Sequence, residues 1–185
     1  NVPFPEDGYH GDDIRELAKI FYEQHGDSYR NVPEKERHDA LVQFGLEKNL
    51  AKMRRDLEKY RITYDTWFFE STLHDSGYVK ETVDLLTQKG ATYENEGALW
   101  LRTSDYGCEK DDVLRRANGF YTYFAADIAY HRNKFEQRGF DRVINIWGAD
   151  HHGHVARLKA ALDILGLDGT EMTTDEDGNL VNALL

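Results

Sequence analysis

Residues 119–166 run GFYTYF, AADIAYHRNKFEQRG, FDRVINIWGA and DHHGHVARLKAALDILG. Short β-favouring runs alternate with charged, amphipathic ones. The pattern predicts a strand over 119–124, a helix stopped by Gly139, a buried strand over 140–149 and a helix stopped by Gly166. Strand, helix, strand, helix with short connections implies an α/β fold built on a parallel sheet. Ligands of such sheets sit beyond the carboxyl ends of the strands, here residues 123–127 and 148–154.

Upstream, DDIRELAKIFYEQH (residues 12–25) spaces its apolar residues at three and four and opens on two aspartates, which predicts a helix with acids at its positive end. A longer helix is expected from about Pro33 to Tyr60, with a charged, solvated face. ITYDTWFFES (residues 62–71) reads as a strand, YVKETVDLLTQKG (78–90) as a helix, and 91–107 as a β-hairpin turning on Asn95-Glu96-Gly97. Residues 31–105 are therefore expected to form an α+β unit of their own. Trp67, Trp100 and Trp147 are read as core, and residues 171–185 are left unassigned.

The 185 residues carry 23 Lys+Arg against 34 Asp+Glu, a net charge of −11. A free-standing nucleic-acid binder is thereby disfavoured, because such proteins draw affinity from cationic contacts to phosphate. A single cysteine, Cys108, rules out an internal disulfide framework and a CxxC zinc site and suits a reducing compartment, so the cytoplasm is expected. No membrane span is expected, since no run approaches about 18 apolar residues. The start at Asn1, without Met, suggests a piece of something longer.

Two constellations could carry chemistry. WGADHHGH (147–154) stands where the second strand meets its helix. It admits a metal site on Asp150, His151, His152 and His154, although adjacent histidines face different ways on a helix. It also admits a nucleotide site, with Gly148 allowing close approach, Asp150 accepting from ribose hydroxyls and the helix start facing phosphate. A third reading makes Asp150 a simple helix cap. The nucleotide reading is preferred and no metal site is expected. The second constellation is Tyr123-x-x-x-Asp127, a carboxylate and phenol suited to a cationic ligand, which on spacing alone is equally a core tyrosine and a first-turn acid. GxSxG, GxxxxGK[ST], GxGxxG and HExxH are absent.

The order PEDGYHGDDI, YDTWFFES and then GALWLRTSDYGCEKDDVLRRANGFYTYFAADIAYHRNKFEQRGFDRVINIWGADHHGHVARLKAALDILG resembles the interior of a bacterial arginyl-tRNA synthetase. The resemblance spans residues 5 to about 166. It implies part of a class I Rossmann-type catalytic domain (1–30 and 106–170) with an inserted α+β subdomain (31–105). It implies ATP-dependent activation of L-arginine and transfer to tRNA(Arg), with ATP and Mg²⁺ as a substrate complex, no tightly bound cofactor, and neither DNA nor membrane as partner. Tyr123 and Asp127 match the motif that binds arginine. Gly148, Asp150 and His154 match the segment lining the adenylate, and Tyr9 and Gly11 match positions near the active site. The family's H-I-G-H and K-M-S-K-S signatures, which carry the phosphate chemistry, fall outside these residues, so the chain alone is expected to be inactive and no catalytic residue is assigned. The alternative is a free-standing, noncatalytic module that binds arginine or a nucleotide.

Overall fold

The computed structural model describes residues 8–9, 11–145, 147–148, 151–167, 170–174 and 180–184, the last two segments and His152 as backbone only. Contacts divide the chain into two units, residues 1–67 and 68–185.

In the first unit, helix α1 (Asp12–His25) opens on Asp12 and Asp13, as the sequence predicts. Its Phe21 is buried and meets the Phe44 ring edge-on at a centroid distance of 5.2 Å. Phe44 belongs to α2 (Glu34–Lys59), a 26-residue helix entered through Pro33. No residue of α2 is buried, and Leu41, Val42, Leu46 and Met53 are exposed. Residues 62–70 are irregular rather than the strand their aromatic content suggests. A strand needs a neighbouring edge for its backbone groups, and here the aromatics pack individually. Arg54 lies over the Trp67 ring at 4.6 Å, with Tyr64 edge-on to the same ring.

The second unit holds α3 (Ser71–Asp75), α4 (Tyr78–Gln88), β1 (Thr92–Asn95), β2 (Ala98–Leu101), a 3₁₀ turn (Thr103–Tyr106), β3 (Asp112–Arg115), α5 (Tyr123–Glu136), β4 (Val143–Asn145), α6 (His152–Leu165), β5 (Thr170–Thr174) and β6 (Leu180–Leu184). The expected hairpin is present: Asn95 faces Ala98, and Glu96 and Gly97 both take positive φ, 50° and 75°, as a primed two-residue turn requires. β3 completes an antiparallel sheet in the order β1-β2-β3.

The strand expected over 119–124 does not form. Gly119, at φ 87°, folds the chain back so that Tyr121 makes an isolated bridge to Arg115. Thr122 then caps α5, its Oγ1 accepting from the Ala125 amide at 3.3 Å and donating to the Val113 carbonyl at 2.7 Å. The hydroxyl thus satisfies an orphan helix-start donor, and Tyr123 and Phe124 enter the first turn of α5. The strand expected over 140–149 shrinks to β4, which pairs antiparallel with β6, and β6 in turn with β5. The unassigned tail therefore supplies two strands, and every strand pair among the described residues is antiparallel. The parallel sheet of the sequence reading is not found there: β4 bonds to the returning tail instead of to a parallel neighbour.

The core joins α4, α5, α6 and the first sheet around Leu86, Leu101, Leu114, Ile128 and Leu162, each fully buried. Arg132 clamps α5 to α4: its guanidinium reaches Glu81 and Glu136 at 2.8 Å each and lies over the Tyr78 ring at 4.6 Å. That clamp and the core fix the face of α5 that carries Tyr123 and Asp127. Among the described residues no helix is long and apolar enough to cross a membrane.

Candidate active-site cleft

Asp127 follows Tyr123 by four positions, which places both on one face at the start of α5. That face borders a cleft of about 290 Å³, which also receives Glu70, Tyr130, His131, Lys134, Asn145, Trp147, His151 and His154. The Asp127 side chain is 24% exposed, enough for a ligand to reach it.

Both oxygens of Asp127 are engaged by histidines. His154 Nε2 lies 2.5 Å from Oδ2, and His131 Nδ1 lies 3.3 Å from Oδ1 and 2.9 Å from the Asp127 backbone carbonyl. Burial pushes the Asp127 carboxyl upward, but the hydrogen bonds from His131 and His154 outweigh it and hold the group well below the usual carboxylate range. The aspartate is therefore ionised at neutral pH. A carboxylate offers about four lone-pair sites, so two remain for a further donor pair.

His131 Nε2 stands between Asn145 Oδ1 at 3.3 Å and Lys134 Nζ at 3.5 Å. Protonated, it donates to Asn145; bare, it accepts from Lys134. Burial pushes the Lys134 ammonium down to about 8, against the pull of Asp127 and with help from Arg138. The sign follows directly. The folded-state value lies below the ordinary lysine value of 10.5, so the unfolded chain binds more protons between about pH 8 and 10.5, and stability from this group rises with pH through that window. Lys134→Met is expected to raise stability at pH 7 by up to about 3 kcal/mol and to flatten the stability–pH curve between pH 8 and 10. Thermal melts across that range check it, and a destabilised variant with an unchanged curve would refute it.

On the far side, Tyr123 OH lies 3.0 Å from His154 Nδ1, which also receives Arg157 Nε at 2.9 Å. Arg157 extends to Asp112 Oδ1 at 2.9 Å and to the Tyr123 hydroxyl. Behind this wall lies a second cleft of about 630 Å³, bordered by residues 107–110, Asp112, Tyr123, His151, Gly153, His154, Ala156 and Arg157. The Cys108 thiol at its rim is pushed up by burial and by Asp112, which leaves it a poor nucleophile.

The structure thus brings Tyr123, Asp127 and His154 together, with His154 buried against Asp127 and both its ring nitrogens in use. Gly148 is exposed, and its carbonyl accepts from the His151 amide at 3.0 Å, just before α6. Asp150 and Ala149 lie outside the described residues, as does His152 beyond its backbone. Gly11 precedes α1 in the first unit, with the side chains of Asp13 and Tyr9 close against it. Trp147 is half-buried as a wall of the cleft, its ring 5.1 Å from that of His154. Sequence reasoning missed Glu70, His131, Lys134, Asn145 and Arg157. Helical spacing from Asp127 to His131 and from His154 to Arg157 offered a handle, whereas Glu70, from the irregular run before α3, offered none.

A family model described as tRNA synthetases class I (R), catalytic domain matches residues 16–178. A protein of Caldanaerobacter subterraneus subsp. tengcongensis named arginine–tRNA ligase is 58% identical over 164 residues, 89% of this chain and 29% of that one. One of the same name from Ruminiclostridium cellulolyticum is 58% identical over 167 residues, 90% of this chain and 30% of that one. A crystal structure from Campylobacter jejuni, provisionally described as an arginyl-tRNA synthetase, superposes with a TM-score of 0.78 at 39% identity over 91% of this chain and 36% of its own. The chain spans about 30% of the length of the curated relatives it matches. The family model covers most of the chain, and the chain belongs to the class I (R) tRNA synthetase catalytic-domain family.

Proposed function

We propose that this chain is the part of an arginine–tRNA ligase that holds the amino-acid substrate. The observation that carries this reading is Asp127, ionised, one-quarter exposed and aimed into a 290 Å³ cleft beside Tyr123. A guanidinium presents five N–H donors in a planar fork. The two lone-pair sites that the histidines leave on Asp127 suit that fork, Glu70 offers a second carboxylate, and Tyr123, Tyr130 and Trp147 offer ring faces for its plane. A lysine ammonium would fill the site as a point charge and forgo the bidentate geometry.

In the proposed reaction the arginine carboxylate attacks the α-phosphate of ATP, giving arginyl-adenylate and pyrophosphate. A terminal ribose hydroxyl of tRNA(Arg) then takes the arginyl group. Mg²⁺ accompanies ATP as substrate, and the groups that stabilise the reacting phosphate are proposed to come from the remainder of the ligase. Residues of this chain orient arginine, which lowers the barrier by fixing the nucleophile. Gly148 and Asp150 are proposed on the ATP side. Tyr9 and Gly11 are proposed near the reacting groups. His154 is proposed to serve Asp127 and, from that position, to border the ATP side.

We further infer that the inserted-subdomain organisation and the parallel nucleotide-binding sheet belong to the longer protein. β4 is an edge strand of its sheet, and among the described residues its outer side is open to a parallel neighbour. A cytoplasmic enzyme accords with this reading. A free-standing binding module is not favoured, because the relatives named above are ligases.

The test is arginine-dependent aminoacylation of tRNA(Arg) by the full-length ligase carrying this segment, with Glu70→Gln beside the wild type. Glu70 is exposed, so its loss is expected to raise the arginine KM by roughly 3- to 30-fold, about 0.7 to 2 kcal/mol, and to leave the KM for ATP unchanged. A ligase that charges another amino acid in preference to arginine would overturn the reading.

A further inference from the structure

The two clefts share one wall, and its proton arrangement is fixed by chemistry. A guanidinium donates and never accepts. Arg157 Nε points at His154 Nδ1 from 2.9 Å, so that nitrogen holds a lone pair. The Tyr123 hydroxyl, 3.0 Å away, meets the same lone pair. The ring proton therefore sits on Nε2, 2.5 Å from Asp127 Oδ2, and His154 is neutral. Arg157 is itself anchored. Its Nη1 reaches Asp112 Oδ1 at 2.9 Å, Asp112 Oδ2 accepts from Thr103 Oγ1 at 3.3 Å, and the guanidinium lies 4.9 Å from the centre of the Phe124 ring. A continuous line of contacts thus runs from β3 through α6 to α5: Asp112, Arg157, His154, Asp127.

We propose that Arg157 is a positioning residue for the arginine-binding carboxylate, occupying His154 Nδ1 so that the imidazole stays neutral and aims its one proton at Asp127. The role rests on the reading of Asp127 as the guanidinium partner. Without Arg157, Nδ1 meets the Tyr123 hydroxyl, which unlike a guanidinium can turn to accept, so that nitrogen is able to take a proton from water. The resulting imidazolium stands in hydrogen-bond contact with Asp127 as a second cation, where the substrate guanidinium needs an uncompensated negative charge. Among the described residues, the charged and titratable groups facing His154 are Tyr123 and Asp127 from α5, His151 just before α6, Arg157 from α6, and Asp112 from β3 acting through Arg157. Of these, Arg157 alone keeps a proton off Nδ1 at every accessible pH.

The experiment uses the full-length ligase and reads the KM for arginine and for ATP, with kcat, in aminoacylation between pH 5.5 and 8.5. The enzymes are wild type, Arg157→Gln, Asp112→Asn and Asp127→Asn. Arg157→Gln is expected to add an acid limb to the arginine KM alone, rising toward about tenfold for each pH unit below the new titration, while the ATP KM and kcat at saturating arginine keep the wild-type shape. Asp112→Asn retains side-chain volume and releases the anchor, so a weaker limb of the same sign is expected, and it serves if Arg157→Gln does not fold. Parallel arginine profiles in wild type and in whichever of these two variants folds would overturn the proposal. So would a rise confined to the ATP KM, which would make Arg157 a nucleotide contact. An unchanged arginine KM in Asp127→Asn would bring down the reading of the cleft itself, whereas a raised KM there with flat profiles in the other two removes the role of Arg157 alone.

Discussion

Asp127→Asn in the full-length ligase is expected to raise the arginine KM by roughly 30- to 5,000-fold, the equivalent of about 2 to 5 kcal/mol for a partly buried cation that loses its charged partner. The change is nearly isosteric, so the loss reports chemistry and not packing. Asparagine has one acceptor oxygen where aspartate has two, and the two histidines that flank Asp127 both point N–H groups at it. One histidine must then face an amide NH₂, donor to donor, which adds to the lost charge. The KM for ATP should move far less, because the cleft that holds Asp127 is distinct from the larger one behind Tyr123. Steady-state kinetics with arginine varied at saturating ATP decides the matter, and an arginine KM within about threefold of wild type would refute the assignment.

The neighbouring residue should behave in the opposite way. Ile128 is fully buried on the core side of α5. Ile128→Ala removes three heavy atoms from a packed interior and is expected to cost about 2 to 5 kcal/mol, the transfer term plus the residual cavity. For a chain of this length that is a fall in Tm of roughly 4 to 20 °C. Molecules that remain folded keep Asp127 in place, so the arginine KM at low temperature should stay near wild type. Melting curves read beside the kinetics separate one residue that binds from the next that supports. A full-length enzyme whose Tm is unmoved by Ile128→Ala would show that α5 is not packed as described.

Where a segment's fate was decided by its own residues, the sequence was legible. α1, α2, α4 and α6 announce themselves by spacing and by terminal acids or glycines, and the β1–β2 hairpin by Asn95-Glu96-Gly97, because only a turn tolerant of positive φ closes two residues. Residues 119–124 failed the same treatment. Their aromatic content favours a strand, but the Thr122 hydroxyl finds both a helix-start amide and the Val113 carbonyl, and a cap that ties α5 to β3 outweighs a propensity worth at most about 1 kcal/mol. Residues 62–71 lacked a partner edge. The parallel sheet was inferred from element order, yet pairing is a property of what lies alongside, and beside β4 lies the tail strand β6.

The site divides along the same line. Tyr123 with Asp127, and His154 near its helix start, are one-helix facts that spacing reveals. The bond between Asp127 and His154, the anchoring of Arg157 by Asp112 across 45 positions of sequence, and the entry of Glu70 into the cleft are tertiary facts. No local pattern encodes them. The first two follow from α5 packing beside α6 and against β3, the third from the course of the run before α3.

The shared wall of Tyr123 and His154 has a thermodynamic corollary. Any ligand of the larger cleft that draws the Arg157 guanidinium toward its own negative charge loosens the grip on Nδ1, and so changes how strongly Asp127 attracts a cation on the other side. Linkage makes that influence mutual: the factor by which such an anion alters arginine affinity is the factor by which arginine alters the affinity for the anion. Arginine in one cleft and an anion in the other would then read each other's occupancy through a single imidazole.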